Sequence, residues 1–350
     1  MFRPDILNEF RALAGKADAE WIQRKRKINT ETLIVELARG KVNRMGLRQI
    51  ASQKPGNFSA SALVQAKQRI PVSVMAGILS KLNESAFSGR RVLAIDSTKI
   101  NLPLRFKAQG VAPRNAAAHK PLIMCSTLFN IKADIPLEVI IANHHDERGC
   151  LLFEHTLQAG DLVIGDRGYF GQKLCAQLKT RGVDVLLRVK EKACLPVMSF
   201  VASRRKERVM DLDGVRVKCF KYAVEHQRYV LVTTNLTMTM SEARTLYKSR
   251  WRIEEGFRRW KSDFHLCKNV SHSLHTFQVD VLSVAISHAL VRRGLSSRHV
   301  VAETPILERS HMISQEDRAF RASALALFPL VSTKLWSRTG IWIKTRRAKI

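Results

Sequence analysis

Apolar residues recur at helical spacing through Thr30–Arg39 and again from Leu63 to Ile70, where Ser59 or Ser61 stands ready to cap. Between these runs, Ser52–Phe58 carries a Pro-Gly-Asn turn signal. Residues 1–89 therefore read as a helical N-terminal domain. Two helices joined this way suit a helix-turn-helix DNA reader with Lys67 and Arg69 facing phosphate, and suit a plain helical support equally.

The period changes at Arg90. Arg91–Asp96 (RVLAID) is a short apolar run closed by a carboxylate, as buried strands are, and Leu122–Asn130 and Ile135–Asn143 predict two more strands. A helix over Leu151–Leu157 follows. Asp161–Asp166 (DLVIGD) then repeats the strand-to-aspartate device, ahead of Arg167-Gly168-Tyr169. A helix at Gln172–Thr180 and strands at Val183–Val189 and Tyr229–Asn235 complete the pattern, with a less regular stretch at 191–228 and a hairpin signal at Asp213-Gly214. Strands first paired, then interleaved with helices, predict an α/β class with a mixed sheet flanked by helices. Ser241 then caps a predicted long helix to Leu266, supported by Glu242 in its first turn. The divisions are 1–89, a sheet domain at 90–270 with 191–228 inserted, and a helical basic region at 271–350.

Charge narrows the partner. The 350 residues hold 59 Lys plus Arg against 30 Asp plus Glu, a net charge of +29, alongside 45% hydrophobic residues. A chain that can bury a core and still carries this excess suits a polyanion, above all nucleic acid. Eight basic residues and no acidic one lie in Arg318–Ile350. The run Arg24–Lys27 suits a solvated helix face better than a specific contact. The most apolar run, Val279–Val291, is interrupted by Asp280 and His288, so no membrane span is expected. Six scattered cysteines form no Cys-x-x-Cys pair, and Met1–Phe10 carries charges, so a soluble cytoplasmic protein with reduced thiols is expected.

On the predicted Ser241–Leu266 helix, Tyr247, Arg250, Glu254 and Lys261 share a strip about 60° wide, beside an apolar face of Leu246, Ile253, Phe257, Trp260 and Phe264. The carboxylate on that strip suits a divalent cation, and the other three side chains suit phosphate oxygens. Asp96 and Asp166 each close a buried strand. If Glu254 packs against those strand ends, three carboxylates meet and need cations to neutralise them, which Mg²⁺ or Mn²⁺ fits. Two such ions about 3.5–4 Å apart support in-line phosphoryl transfer.

The spacing Tyr-x-x-Arg-x-x-x-Glu-x-x-x-x-x-x-Lys, here YKSRWRIEEGFRRWK, resembles the signature of DDE transposases of the insertion-sequence-four type. Asp96 in LAIDSTKINLP resembles that family's first aspartate motif, Asp166 in VIGDRGYF its second, and Phe58–Pro71 is also family-like. The resemblance implies a ribonuclease-H-like core with a β-rich insertion between the second Asp and the Glu. It implies two bound Mg²⁺ (or Mn²⁺) ions on Asp96, Asp166 and Glu254, and phosphate contacts by Tyr247, Arg250 and Lys261. It also implies cut-and-paste transposition in a bacterial cytoplasm: cleavage at terminal inverted repeats, a hairpin step, and joining of the 3′ end to target DNA by a homodimer holding both ends.

In one respect the sequence departs from the family. Relatives use a tryptophan in the insertion to hold a flipped base, whereas all five tryptophans here lie outside 167–250, leaving Tyr222, Phe220 or Tyr229 as stacking surfaces. Arg167 suits either DNA or a core carboxylate. Asp134, Asp146 and Asp161 read as structural loop residues. His144-His145-Asp146-Glu147 lacks convergent metal-ligand spacing, as do His265, His272 and His275. The alternative to an active transposase is a catalytically silent, transposase-derived DNA-binding protein.

Overall fold

The computed structural model describes residues 4–22, 27–53, 57–84, 89–115, 117–224, 227–267, 271–294 and 309–327. Most of the Arg24–Lys27 run, Pro55 and Gly56 of the turn signal, and the basic tail from 328 lie outside the described residues.

One sheet organises the chain. Its strands are β1 (Val92–Asn101), β2 (Leu122–Asn130), β3 (Ile135–Ala142), β4 (Leu162–Gly165), β5 (Asp184–Val189), β6 (Glu207–Leu212), β7 (Val215–Val224) and β8 (Gln227–Thr233). They lie in the order β3-β2-β1-β4-β5-β8-β7-β6. β1, β4 and β5 run parallel, and every other pairing is antiparallel. An antiparallel β1–β2–β3 meander feeding parallel β4 and β5 is the mixed sheet that the strand pattern predicts, and it accords with the ribonuclease-H-like core that the resemblance implies. β2 is buried along its whole length, as a strand covered on both faces must be.

Two regions differ from expectation. β1 does not stop at Asp96 but runs on to Asn101, because β2 keeps pairing with it after β4 has ended. The stretch 191–228 supplies a helix and two strands that lengthen the main sheet, since β8 pairs with β5 through Leu186↔Thr233 to Val189↔Val230. The hairpin at Asp213-Gly214 forms as predicted, with both residues at positive φ (57° and 81°).

Helices cover both faces: α1 (Pro4–Trp21), α2 (Thr30–Val42), α3 (Leu47–Ser52), α4 (Ala60–Arg69), α5 (Val72–Glu84), α6 (Glu147–Gly149, running into a π-helical turn at Cys150–Glu154), α7 (Gln172–Thr180), α8 (Leu195–Ala202), α9 (Met240–Ser249), α10 (Trp251–Ser262), α11 (Leu274–Gly294) and α12 (Arg309–Leu327). Strand alternation divides the layers. Val92 and Ala94 of β1 join Phe129, Ile253, Phe257 and the α11 residues in one core. Leu93 and Ile95 join Tyr169, Leu174, Leu178 and Phe200 in the other.

α11 is long and apolar enough to cross a membrane by length and composition, yet 83% of its apolar window is buried in the fold. It is a core helix, packed against α2, α5 and β3. Its two polar interruptions are internal. Asp280 pairs with Lys67 at 2.8 Å and accepts a hydrogen bond from Ser271 at 2.5 Å. Trp260 Nε1–H donates to Nδ1 of His288 at 3.0 Å, so Nε2 carries the ring proton and donates to the Asp134 carbonyl at 3.1 Å. Lys67, expected to face phosphate, is therefore corrected to a buried structural cation, 6% exposed, while Arg69 at the end of α4 is exposed. Ser59 caps α4 by accepting from the Ala62 amide at 3.1 Å. The loop aspartates are structural: Asp134 pairs with Arg259 at 3.0 Å, Asp161 with Arg91 at 2.9 Å, and Asp146 caps the Gly149 amide.

Candidate active site at the carboxyl edge of the parallel strands

Register places the two aspartates side by side. In the parallel pairing of β1 with β4, Ala94 is opposite Ile164, so Asp96 and Asp166, each two residues on, reach the same level as the ladder ends. The carboxyl end of parallel strands is where α/β sheets present their ligand sites. Asp96 shares the face of Val92 and Ala94, the face on which α10 lies. Gly256 lets α10 come close: a Cβ there would meet the Phe129 ring at 3.0 Å. That approach brings Glu254 to the aspartates.

The helix carrying Glu254 is not continuous. Thr239, rather than Ser241, caps α9 by accepting from the Glu242 amide at 3.2 Å. α9 ends at Ser249, whose hydroxyl bonds the Leu246 carbonyl at 2.7 Å. The backbone then tightens to i→i+3 bonds, Arg250 N–H to the Tyr247 carbonyl and Ile253 N–H to the Arg250 carbonyl, before α10 resumes. Arg250 sits at this break with its guanidinium between carboxylates: it donates to Glu254 Oε1 at 2.5 Å and approaches Asp96 Oδ2 at 3.4 Å. A residue expected to hold DNA phosphate is thus bound within the carboxylate set.

Burial pushes the Asp96 carboxyl up to about 6; Arg250 and the Ser97 amide oppose that rise, while Asp166 and Glu254 add to it. The three carboxylates thus share one electrostatic field. They come from three elements and offer hard oxygen donors, which suits a divalent cation. Among the described residues no three carboxylate, imidazole or thiolate groups are close enough to enclose an ion as they stand. Arg250, wedged between Asp96 and Glu254, is the physical reason on that side.

The remaining predicted residues separate into two groups. Tyr247 is buried, its ring 6.2 Å edge-on from Tyr229, with Arg250 over its face. Burial raises its phenol above the usual range. Lys261 is exposed about two turns beyond Glu254 on α10, and Arg167 is exposed in the turn after Asp166. Ile253, Phe257, Trp260 and Phe264 form the buried face as the periodicity predicts.

Beside Arg250 opens a cleft of about 680 Å³ lined by Tyr222, Tyr229, Arg188, Arg244 and Trp251. Tyr222 and Tyr229 stack at 5.3 Å. Arg188 lies 4.2 Å over the Tyr229 ring, and Arg244 lies 4.9 Å over Tyr222. Trp251 is 55% exposed. Sequence reasoning named Tyr222 and Tyr229 but missed both arginines. Arg188 had a signal, a charge inside an otherwise apolar strand that opens on Asp184; Arg244 had none beyond helical spacing from Lys248.

Glu147, set aside in the sequence with the His144–Glu147 run, lies at the site. It accepts from Ser97 Oγ at 2.6 Å and pairs with Lys99 at 3.1 Å, next to Asp96 on the opposite face of β1. His144, before it, pairs with Glu154 at 2.8 Å.

Residues 87–290 match the family described as Transposase DDE domain. No curated protein sequence matches the chain. Among solved structures, one titled as a piggyBac transposase synaptic complex with hairpin DNA is similar at a TM-score of 0.48 and 9% identity, over 95% of this chain and 80% of that one.

Proposed function

Starting from the chain's membership of the transposase DDE domain family, we propose that it is a cut-and-paste DNA transposase of the insertion-sequence-four type. Its substrates are the terminal inverted repeats of a mobile element and a target duplex, and it acts in a bacterial cytoplasm, on the nucleoid, as a homodimer holding both ends. The observation that carries this reading is the meeting of Asp96, Asp166 and Glu254 in one field just past the end of the parallel β1–β4 ladder.

In this reading Asp96, Asp166 and Glu254 hold Mg²⁺ or Mn²⁺, two ions in all. Bound there, such ions lower the pKa of a coordinated water and neutralise charge on the scissile phosphate. The chain's own residues do the rest. Arg250, tied to Glu254 and Asp96 before DNA arrives, transfers its fork to phosphate oxygens once the carboxylates have other counter-charge. Lys261 and Arg167, both exposed, add phosphate contacts that fix the DNA end. The Tyr222–Tyr229 stack with Arg188 and Arg244 offers a base an aromatic and cationic surface next to the reacting bond, taking the place of the family's tryptophan. Arg69, exposed at the end of α4, offers a further phosphate contact.

The test is excision of a marked element, flanked by its terminal repeats, from a plasmid with Mg²⁺, comparing wild type with Glu254→Ala. Excision at the repeat boundary by the wild type, lost in the variant while DNA binding persists, is the expected result. Binding without cutting by both proteins identifies a silent DNA-binding descendant. Equal cutting by both removes Glu254 from the site.

A further inference from the structure

We propose that Glu147 is a fourth carboxylate of the cation site, reaching it from the face of the sheet opposite Glu254. The proposal rests on the reading of Asp96, Asp166 and Glu254 as cation ligands, and adds a ligand that the sequence motifs do not contain.

Strand geometry places it there. Asp96 and Ser97 are neighbours on β1 and so point to opposite faces of the sheet. Asp96 meets Arg250 and, through it, Glu254 on one face. Ser97 meets Glu147 on the other, its Oγ–H donating to Oε1 at 2.6 Å, where Lys99 Nζ also arrives at 3.1 Å. Those two donors fix Oε1 and leave Oε2 directed toward the Asp166 loop.

Gly168 shows how near the two carboxylates come. A Cβ at that position would lie 3.0 Å from Asp166 Oδ1 and 3.5 Å from Glu147 Oε2. Both oxygens therefore border the same small gap, which only glycine leaves open. The gap is held from both sides: the Gly168 amide donates to Asp166 Oδ1 at 2.7 Å, and Arg148 Nε donates to the Gly168 carbonyl at 2.8 Å. The residue that follows Glu147 thus anchors the loop that presents Asp166.

A second, independent observation points to a ligand. The Tyr169 hydroxyl is wholly buried and makes no hydrogen bond of good geometry, the Ser97 hydroxyl beside it being already committed to Glu147. It is aimed in among Asp96, Glu147 and Asp166. A buried hydroxyl without a partner costs on the order of 1–3 kcal/mol. Beneath a hydrated cation held by those carboxylates, the phenol O–H donates to a ligand oxygen and the phenol oxygen accepts from coordinated water. Oxygen donors in this number, from rigid strand ends and a helix start, suit a divalent ion that keeps part of its water.

The experiment uses the full chain without DNA. Mn²⁺ binding is titrated by electron paramagnetic resonance for wild type, Glu147→Gln and Asp166→Asn, with melting in EDTA as the check on folding. Glutamine keeps an acceptor oxygen for Ser97 and Lys99 and removes only the charge. Both variants are expected to weaken Mn²⁺ binding about tenfold or more. A second measurement needs no variant: Fe²⁺ with ascorbate and peroxide is expected to cut the wild-type backbone beside Glu147 as well as beside Asp96 and Asp166. Wild-type Mn²⁺ affinity in Glu147→Gln with loss in Asp166→Asn overturns the fourth ligand and leaves the three-carboxylate reading standing; so does iron cleavage beside the aspartates alone. Wild-type affinity in both variants overturns both.

Discussion

Arg250 donates to Glu254, four residues further on, at 2.5 Å, across the point where α9 gives way to α10. The same guanidinium lies 3.4 Å from Asp96, which is 154 residues away in the chain. One cation thus balances two carboxylates from different elements. In Arg250→Ala both carboxylates lose that partner. Glu254 is partly exposed, so the cost is discounted to about 1–2 kcal/mol of stability in chelator. Mg²⁺ is expected to raise the melting temperature of the variant more than that of the wild type. Equal metal-induced shifts would show that Arg250 does not stand in for the cation.

The Lys67–Asp280 pair is buried and ties α4 to α11. Burial lowers the Lys67 ammonium and Asp280 opposes that, so loss of the carboxylate leaves a buried cation with its counter-charge gone. Asp280→Asn is expected to cost about 3–5 kcal/mol in urea unfolding. Lys67→Met is expected to leave the salt dependence of DNA binding unchanged. A fall of about one in the slope of log K against log salt would return Lys67 to the phosphate interface.

His288 is fully buried and neutral between Trp260 and the Asp134 carbonyl. Burial, then the Arg259 charge, holds its pKa well below the usual 6.5. The unfolded chain takes up this proton before the folded chain does, so the contribution is complete above pH 6.5 and is lost as pH falls through it. The slope is about 1.4 kcal/mol per pH unit below that point. Denaturation midpoints from pH 7 to 5 should show that much less acid sensitivity in His288→Gln. Parallel profiles for the two proteins would refute the assignment.

Gly168→Ala puts a methyl 3.0 Å from Asp166 Oδ1 in an exposed turn. Displacing a reacting group by a fraction of an ångström is expected to lower cleavage about 100-fold while the melting temperature holds. Undiminished cleavage would mean that the Asp166 carboxylate does not need its present position.

The aromatic cleft predicts a preference for unpaired bases. Tyr229→Ala removes both the stack on Tyr222 and the ring beneath Arg188. Binding to DNA ends carrying an unpaired base is expected to weaken by about 1–3 kcal/mol, with fully paired duplex little affected. Fluorescence of a 2-aminopurine at the end base reads this directly; the same quenching in variant and wild type would place the base elsewhere.

The sequence by itself determined the elements whose signals are local. β2 matches its predicted bounds because a short, mostly apolar run is long enough for a buried strand and too short for a helix, and α7 does so because its apolar spacing is helical and Gly171 and Gly182 bracket it. The strand closing at Asp166 and the apolar strand entering Asp96 were legible for the same reason, though β1 runs on past Asp96, as was the apolar face of α10. Tertiary structure decided which charges meet. Ser97 and Glu147 are 50 residues apart, and Lys67 and Ser271 are 204 apart. The partner of a charged side chain is set by strand register and helix docking, which no local pattern encodes. That is why Lys67 left the surface, why residues after 191 became the far side of the main sheet, and why Glu147 came to border the gap at Gly168. The run of residues from Tyr247 to Lys261 could reveal which side chains share a strip; only the close docking of α10 on β1 and β2 made Arg250 the partner of Asp96.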